Sequence, residues 1–492
     1  MDVDVAIIGA GILGCTMARA LARYRVDVCV LEAAHDVGEG ATKANSGLVH
    51  TGFHPRGGSL KGRSCVEGNA LHDAIADELD VPFQRIGALY VAFHPAGVDH
   101  LLEKRERARQ NGAGILDVVS GDEARVLEPR LSERVIAALV APTTGIISPF
   151  ELALSTARNA AANGVEFSFG FEVACVERAE EGWLLTGTDG RRCRARYAVN
   201  MAGEEAALLD VQVHAADLVV RPRRGQYVVF DKQQDGGADA KPPLRHVLFQ
   251  AQETDEGGTL LTPTVDGNLL AGPTSENVRS FADNATTTQG IDHVKRVACK
   301  LVPDLDLGQV IHEFSGIRAN IVNVEKEKKD FVVRASAPGF ISALGIKNPG
   351  LTCAPALCRR AVSLLEQEGL RLEDDPRFDP RDQGASHRKP FMMCQPDRQR
   401  EMLASDSRYG HVLCRCEGVT EGDVRNVLHD IVPPHTLDGL KHRLRCGMGR
   451  CQGGFCASRI VQVMADELGC DPCQIARGER GGRVVKRQVK RA

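Results

Sequence analysis

The sequence predicts an α/β chain that opens with a dinucleotide-binding unit and ends in a separate cysteine-rich module. Three observations carry that expectation. Residues 3–8 (VDVAII) read as a buried strand; a glycine-rich turn, a helix from about Ile12 to Arg23 and a second apolar run at 26–31 (VDVCVL) follow, which together make a βαβ unit. Helical and strand-like stretches then keep alternating. Finally, eight of the 16 cysteines lie between Cys394 and Cys473.

Bulk properties narrow the field. A chain of 492 residues has room for two or three domains with buried cores. At 43% hydrophobic and 26% charged it has the composition of an ordinary globular protein, and a net charge of −4 gives no global basic field for nucleic acid. The opening MDVDVAIIGAG enters a strand at once, without the basic start of a secretory signal. No run of about 18 uncharged apolar residues predicts a membrane span. A cytoplasmic location is expected, with peripheral attachment to a membrane left open. Without export, a disulfide framework is a poor reading, so the clustered cysteines point to metal. Scattered ones such as Cys29 and Cys175 read as small apolar core residues.

Further along, a helix is expected around 151–163 and a strand at 195–201, ending in Ala202-Gly203. Residues 205–325 look strand-rich. The strand FISALG precedes a helix at 354–367, and residues 371–408, rich in Asp, Arg and Pro, read as a linker. The cysteine module spans about 409–476. The tail beyond carries seven Lys/Arg and one Glu and reads as a solvated terminus.

Gly9-Ala10-Gly11-Ile12-Leu13-Gly14 lies between a strand and a helix, and Glu32 ends the next strand, 18 residues past Gly14. In that context the pattern is specific. Gly9 permits the tight turn, Gly11 lets backbone approach a pyrophosphate, and Gly14 allows close helix–strand packing. The helix N-terminus offers free N–H groups to the phosphates. Glu32 suits ribose hydroxyls.

The motif alone does not separate FAD from NAD. The polar, glycine-rich segment 41–62 (ATKANSGLVHTGFHPRGGSLKG) follows one element later. With GIISPFEL at 145–152, VNMAG at 199–203 and LGIKNPGLTCAPA at 344–356, it resembles the D-amino-acid-oxidase-like FAD superfamily over about residues 3–368. NSGLVHTGF, GQY, PTVDGNLLAGPT and SGIRA are similar to the glycerol-3-phosphate oxidase/dehydrogenase branch, and L-2-hydroxyglutarate oxidases share much of the NSG-x-x-H segment. The resemblance implies a Rossmann-like FAD domain (segments about 1–80, 145–205 and 326–370) and a mixed-sheet substrate domain (about 81–144 and 206–325). It also implies cofactor contacts from Thr42, Asn45, Ser46, Gly47, Ala202, Gly203, Gly345, Gly350 and Leu351.

Oxidising a secondary alcohol by hydride loss to a flavin needs a base, a cation for the substrate anion, and stabilisation of the charge developing on the reduced ring. His50 is the first candidate base, since an imidazole titrates near neutral pH and the family's His of this motif sits beside the flavin. His54 is the fallback. Arg318 in SGIRA matches the family's anion-binding arginine, whose guanidinium suits phosphate and carboxylate alike. Lys61 and Arg63 read as surface charges. Asn348 stands where the family commonly has serine, just before a helix whose N-terminus would favour negative charge on the flavin. The substrate is therefore a small hydroxylated anion: glycerol 3-phosphate, or L-2-hydroxyglutarate or a related 2-hydroxy acid. A non-catalytic flavin/iron–sulfur carrier is the alternative of another class.

In the tail module, thiolates of Cys414, Cys416, Cys446, Cys451 and Cys456 could hold iron–sulfur or zinc. CRCEGVTEG at 414–422 and GMGRCQGGFC at 447–456 resemble the bacterioferritin-associated-ferredoxin-like [2Fe–2S] domain. That resemblance implies Cys414, Cys416, Cys451 and Cys456 as ligands, with Cys446, Cys470 and Cys473 outside the set. A one-electron centre is of little use to an enzyme that passes electrons straight to oxygen, so an electron-acceptor protein or a quinone is expected as partner.

Overall fold

The β-branched run at the N-terminus, Asp2–Ile8, forms the centre of an eight-stranded sheet. Val28–Glu32 lies parallel on one side of it and Arg192–Asn200 parallel on the other, so that Ile8 is level with both Leu31 and Asn200. Glu166–Phe169 and Phe340–Leu344 extend the parallel part outward. Trp183–Gly187, Val173–Arg178 and Val332–Ala337 add antiparallel edges. The parallel strands are buried on both faces, as crossover helices require. The computed structural model describes residues 1–232, 242–251, 258–323, 330–382, 384, 389–478 and 481–487; the rest of the basic tail falls outside them.

The first helix, Ile12–Leu21, runs from the glycine turn and packs through Cys15, Met17 and Leu21. It ends two residues before the expected Arg23. The helix Gly350–Gln367 starts four residues ahead of the expected 354, with Pro355 inside it. Close packing on the helix Leu60–Leu79 overrides the proline: a Cβ on Gly68 would stand 1.9 Å from the Thr352 carbonyl oxygen.

A second, nine-stranded mixed sheet draws strands from 88–141 and 218–323. Its longest pair is Leu218–Lys232 against Val310–Asn323, antiparallel, with Arg223 opposite Arg318 and Gly225 opposite Gly316. Val247–Gln250 runs parallel to Ala88–Ala92, which makes the sheet mixed. Its apolar faces bury Val228, Phe230, Leu248 and Leu261 on one side and Tyr90, Leu139 and Phe249 on the other.

The C-terminal module pairs Val412–Cys414 with Val419–Thr420 and adds helices Glu421–Leu428, Leu437–Leu444 and Ala457–Leu468 around their own apolar core. Residues 371–408, expected to be aperiodic, contain a helix at Pro396–Ser405. Proline at its first position and Asp397 in its first turn favour starting there, but only Met402 of its residues is buried, so no amphipathic period announced it. The module is docked rather than tethered. Arg443 pairs with Asp36 and Arg158 with Asp430, all four side chains almost fully buried. His442 stacks on Phe150 at 4.5 Å, and Arg445 reaches Asp266 and Asn268 of the second sheet. Among the described residues no helix is long and apolar enough to cross a membrane.

Candidate active site and cysteine centre

A cavity of about 1100 Å³ runs from the glycine turn, between the two sheets, to the start of the Gly350–Gln367 helix. At its nucleotide end Gly9 adopts φ +99, and a Cβ there would meet the Met201 carbonyl oxygen at 2.7 Å; a Cβ on Gly14 would lie 1.8 Å from the Gly9 carbonyl oxygen. Both are held as glycine by protein packing. Gly11 differs, since a Cβ there would meet only Thr42 Oγ1 at 3.4 Å, so its front is open to the cavity. Glu32 lines the wall and accepts hydrogen bonds from the Ala10 and Ala34 N–H groups.

The other expected cofactor residues divide by what they touch. Thr42 accepts the Ile12 N–H at 3.0 Å and so caps the first helix. Asn45 binds the Thr42 carbonyl and the Gly47 N–H, which shapes the loop. Ser46, Ala202, Gly203, Gly350 and Leu351 line the cavity. Gly14, Gly47 and Gly345 do not. The Cβ positions of Gly47 and Gly345 are filled by the Ile147 carbonyl and the Ile321 side chain, so these two shape the walls from behind. Glycine-lined backbone, a helix that starts at the cavity behind Gly11 and a carboxylate at the end of the second strand are a fit for the dinucleotide part of FAD.

At the far end the strings NSGLVH and KNPGLT, some 300 residues apart, are stitched together. Thr352 Oγ1 accepts the His50 N–H at 3.0 Å and donates to the Leu48 carbonyl at 3.1 Å. Asn69 and Cys65 donate to the His50 carbonyl. The imidazole of His50 is 4% exposed and hydrogen-bonded to the Asn348 side chain. Burial pulls it down to about 4, against the Asn348 contact that raises it, so at neutral pH the ring is uncharged rather than poised near 6.5 as the sequence suggested. His54 lies 5.8 Å from His50 among Phe53, Tyr90 and Phe249; burial holds it well below the usual range, and its Nε2 is buried without a hydrogen-bond partner among the described residues.

Arg318 lines the cavity too. Its Nη2 donates to the Thr274 carbonyl at 3.1 Å and its guanidinium contacts the buried Tyr227 hydroxyl. Lys61, expected at the surface, is a wall residue instead: its ammonium lies 5.3 Å from the Phe331 ring centre, and burial lowers its pKa. It sits in the first turn of a helix whose other face is solvated, so its side-chain direction was not legible from charge alone. Arg63, two residues on, is exposed. Tyr227, within the string GQY, and Lys347, which donates to Asn320, were not singled out by sequence either.

The cysteine centre is built from two loops. Cys416 Sγ and Cys451 Sγ lie 3.8 Å apart, and Cys414 contacts Cys456. A Cβ on Gly449 would meet the Cys416 Cβ at 2.3 Å, so glycine there lets the loops approach. Backbone N–H groups of Phe455, Gly453 and Gly454 point at the Cys451 sulfur and lower its pKa. Among the described residues no three His, Cys, Asp or Glu converge as ligands of one ion. Two sulfur pairs, with N–H groups directed at a thiolate, suit a cluster of two irons better than a single zinc. Cys446 is buried in the module core, while Cys470 and Cys473 lie beyond the last helix.

Comparison with known proteins fits both halves. Residues 4–364 match the FAD dependent oxidoreductase family, and residues 412–466 match the BFD-like [2Fe-2S] binding domain. A glycerol 3-phosphate dehydrogenase of Caloramator mitchellensis is 36% identical over 99% of both chains. The mitochondrial L-2-hydroxyglutarate dehydrogenase of Arabidopsis thaliana is 29% identical over 73% of this chain and 83% of its own. The structure of dithionite-reduced L-alpha-glycerophosphate oxidase from Mycoplasma pneumoniae with FAD bound superposes with a TM-score of 0.70 at 27% identity, covering 78% of this chain and 98% of that one. The chain therefore belongs to the FAD dependent oxidoreductase family and carries a BFD-like [2Fe-2S] binding domain behind its catalytic part.

Proposed function

We propose that the protein oxidises sn-glycerol 3-phosphate to dihydroxyacetone phosphate and passes the electrons through its C-terminal centre to an acceptor. One observation carries the substrate class: a neutral, oriented imidazole and a guanidinium face one cavity from different elements, with the buried ammonium of Lys61 in the same wall. A carrier without substrate needs no such set. The cationic side chains of Arg318, Lys61 and Lys347 suit a doubly charged anion, whether a phosphate ester or a dicarboxylate. The relative named glycerol 3-phosphate dehydrogenase, alike along its whole length, supports the choice of the phosphate ester.

FAD, when bound, supplies the hydride acceptor. The chain's own residues do the rest. Asn348 holds one ring nitrogen of His50 and leaves the other to take the proton of the substrate hydroxyl. Arg318, steadied by Thr274 and Tyr227, binds the anion and so fixes which carbon faces the flavin. The start of the Gly350–Gln367 helix lines the cavity, where its partial positive charge would favour negative charge on a bound flavin. We assign Cys414, Cys416, Cys451 and Cys456 as the [2Fe–2S] ligands. We also divide the chain into an oxidoreductase part at 1–370, a connecting segment at 371–408 and the cluster module at 409–476.

Anaerobic bleaching of the flavin by a panel of substrates tests the reading. Glycerol 3-phosphate should reduce it fastest. Faster reduction by L-2-hydroxyglutarate would move the substrate to the 2-hydroxy acids, and no reduction by any hydroxylated anion would leave a carrier.

A further inference from the structure

We propose that the face of the C-terminal module around Cys416 and Cys451 docks an acidic one-electron carrier protein. This rests on the ligand assignment above. Cys414 and Cys456 are buried, whereas Cys416 and Cys451 are exposed, so the sulfur set has an outward side. Phe455, next to Cys456, is 42% exposed. The guanidiniums of Arg415 and Arg459 both lie over its ring, each 4.8 Å from the centre. Neither arginine has a carboxylate or hydrogen-bonding partner among the described residues, and both are exposed. Met392, 56% exposed, rests on Gly418, two residues past Cys416.

The two sulfur-bearing loops are poor in acidic residues, and Asp231, which reaches them from the second sheet, is paired with Arg450. Residues 445–460 contain no Asp or Glu, and residues 411–420 contain one, Glu417. Glu417 is turned inward onto Lys232 and Arg445. An exposed Phe455 flanked by two guanidiniums without carboxylate partners, with the exposed Met392 against the Cys416 loop, has the make-up of an interface anchor. Its field would steer in a partner of opposite charge and repel a basic one. A carrier protein brings its own redox centre to the outward thiols, which an anionic lipid surface does not. Each docked carrier is reduced by one electron, so two carriers account for the two electrons of one alcohol oxidised, and the protons go to solvent.

The test uses the holoenzyme, with a flavodoxin as the acidic one-electron probe and cytochrome c as the basic one. Direct binding to flavodoxin is titrated at low and high salt for the wild type, for the charge-reversal pair R415E/R459E, and for F455A. The affinity of the wild type should fall with salt. The charge-reversal pair should weaken binding about tenfold or more, and F455A by less, with iron, sulfide and flavin reduction by substrate unchanged. Unchanged affinity in the charge-reversal pair, a wild-type preference for cytochrome c, or retention on anionic phospholipid vesicles in place of flavodoxin would each overturn the docking site. Wild-type protein without iron and sulfide would overturn the ligand assignment itself, an outcome told apart by metal analysis before any binding is measured.

Discussion

The flavin cavity and the cysteine centre solve opposite problems. The cavity is assembled from segments spread over some 340 residues, from Gly9 to Leu351, and its reacting end is closed off: His50 is 4% exposed and burial lowers the pKa of Lys61. The cysteine centre comes from two loops within 43 residues, Cys414 to Cys456, and leaves two sulfurs at the surface. Hydride transfer calls for exclusion of water and a base of fixed orientation. Electron exit calls for an edge that a partner reaches. The difference teaches that burial follows the particle being moved, not the cofactor. The module is nevertheless locked to the flavin part by the buried pairs Arg443–Asp36 and Arg158–Asp430, a geometry that holds donor and exit edge in fixed relation.

The most drastic way to separate the two sites is to remove a cluster ligand. Cys451→Ser should abolish the cluster, taking iron and acid-labile sulfide from two of each per chain to none, because a four-thiolate set cannot hold with three. Cys446→Ser should keep both, since that side chain belongs to the module core. In Cys451→Ser the flavin should still bleach with substrate at the wild-type rate. Metal analysis with anaerobic stopped flow checks both statements, and loss of bleaching would mean that the two sites are not separable.

The converse change is His50→Ala. Removing the base should slow flavin reduction about a thousandfold, within the range of general-base effects, while FAD and cluster stay bound. Next comes Arg318→Ala. It deletes a charge-assisted contact made before the transition state, roughly 1.5–3 kcal/mol, and should raise KM about tenfold to a hundredfold with less change in kcat. Steady-state kinetics on glycerol 3-phosphate separates the two patterns.

Acid should reach the flavin part through its histidines. His50 and His72 are each drawn down to about 4 by burial, from an ordinary 6.5. The unfolded chain then binds protons more readily than the folded one between those values. Their contribution to stability is whole above pH 6.5 and is lost progressively as pH falls through about 4. The urea midpoint should therefore drop between pH 7.5 and pH 5, and the drop should shrink in His72→Gln. An unchanged slope in that variant would remove His72 from the account.

These two regions were also unequally legible. The cysteine strings CRCEGVTEG and GMGRCQGGFC stood out by resemblance to a known domain, and which sulfurs approach one another was visible only in the structure. The glycine turn was legible from its local spacing between a strand and a helix. The reacting end was only partly so. His50, Arg318 and Asn348 stood out, but the Asn348–His50 bond and the Thr352 tie join residues about 300 apart, and no local pattern encodes that distance. Lys61 was misjudged because a charged residue in a first helical turn reads as solvated until the neighbouring sheet is known. The early start of the Gly350 helix was hidden by Pro355, whose cost is outweighed by packing against Gly68. In the second sheet only the strand register showed that Arg223 stands opposite Arg318.

The smallest expected effects lie at two glycines that perform the same task in the two regions. Gly449 lets the Cys416 loop approach, and a Cβ there meets the Cys416 Cβ at 2.3 Å, an atom close to the backbone that cannot swing away. Gly449→Ala should therefore displace the loop and lower cluster occupancy. Gly225 lies under Arg318: a Cβ there meets Nη2 at 2.3 Å and Cζ at 2.9 Å, the far end of a flexible side chain, and the Pro273 Cβ at 3.0 Å. The strand register at Gly225, opposite Gly316, is set by backbone pairing and survives the substitution. In Gly225→Ala the guanidinium should swing off the backbone and give up its bond to the Thr274 carbonyl, while its charge remains in the cavity. The expected result is a KM raised only a few-fold, well short of Arg318→Ala, with the limiting rate of flavin reduction unchanged. A Gly225→Ala enzyme as impaired as Arg318→Ala would mean that the glycine sets the cavity wall itself; one with wild-type KM would mean that the guanidinium is not the group that grips the anion.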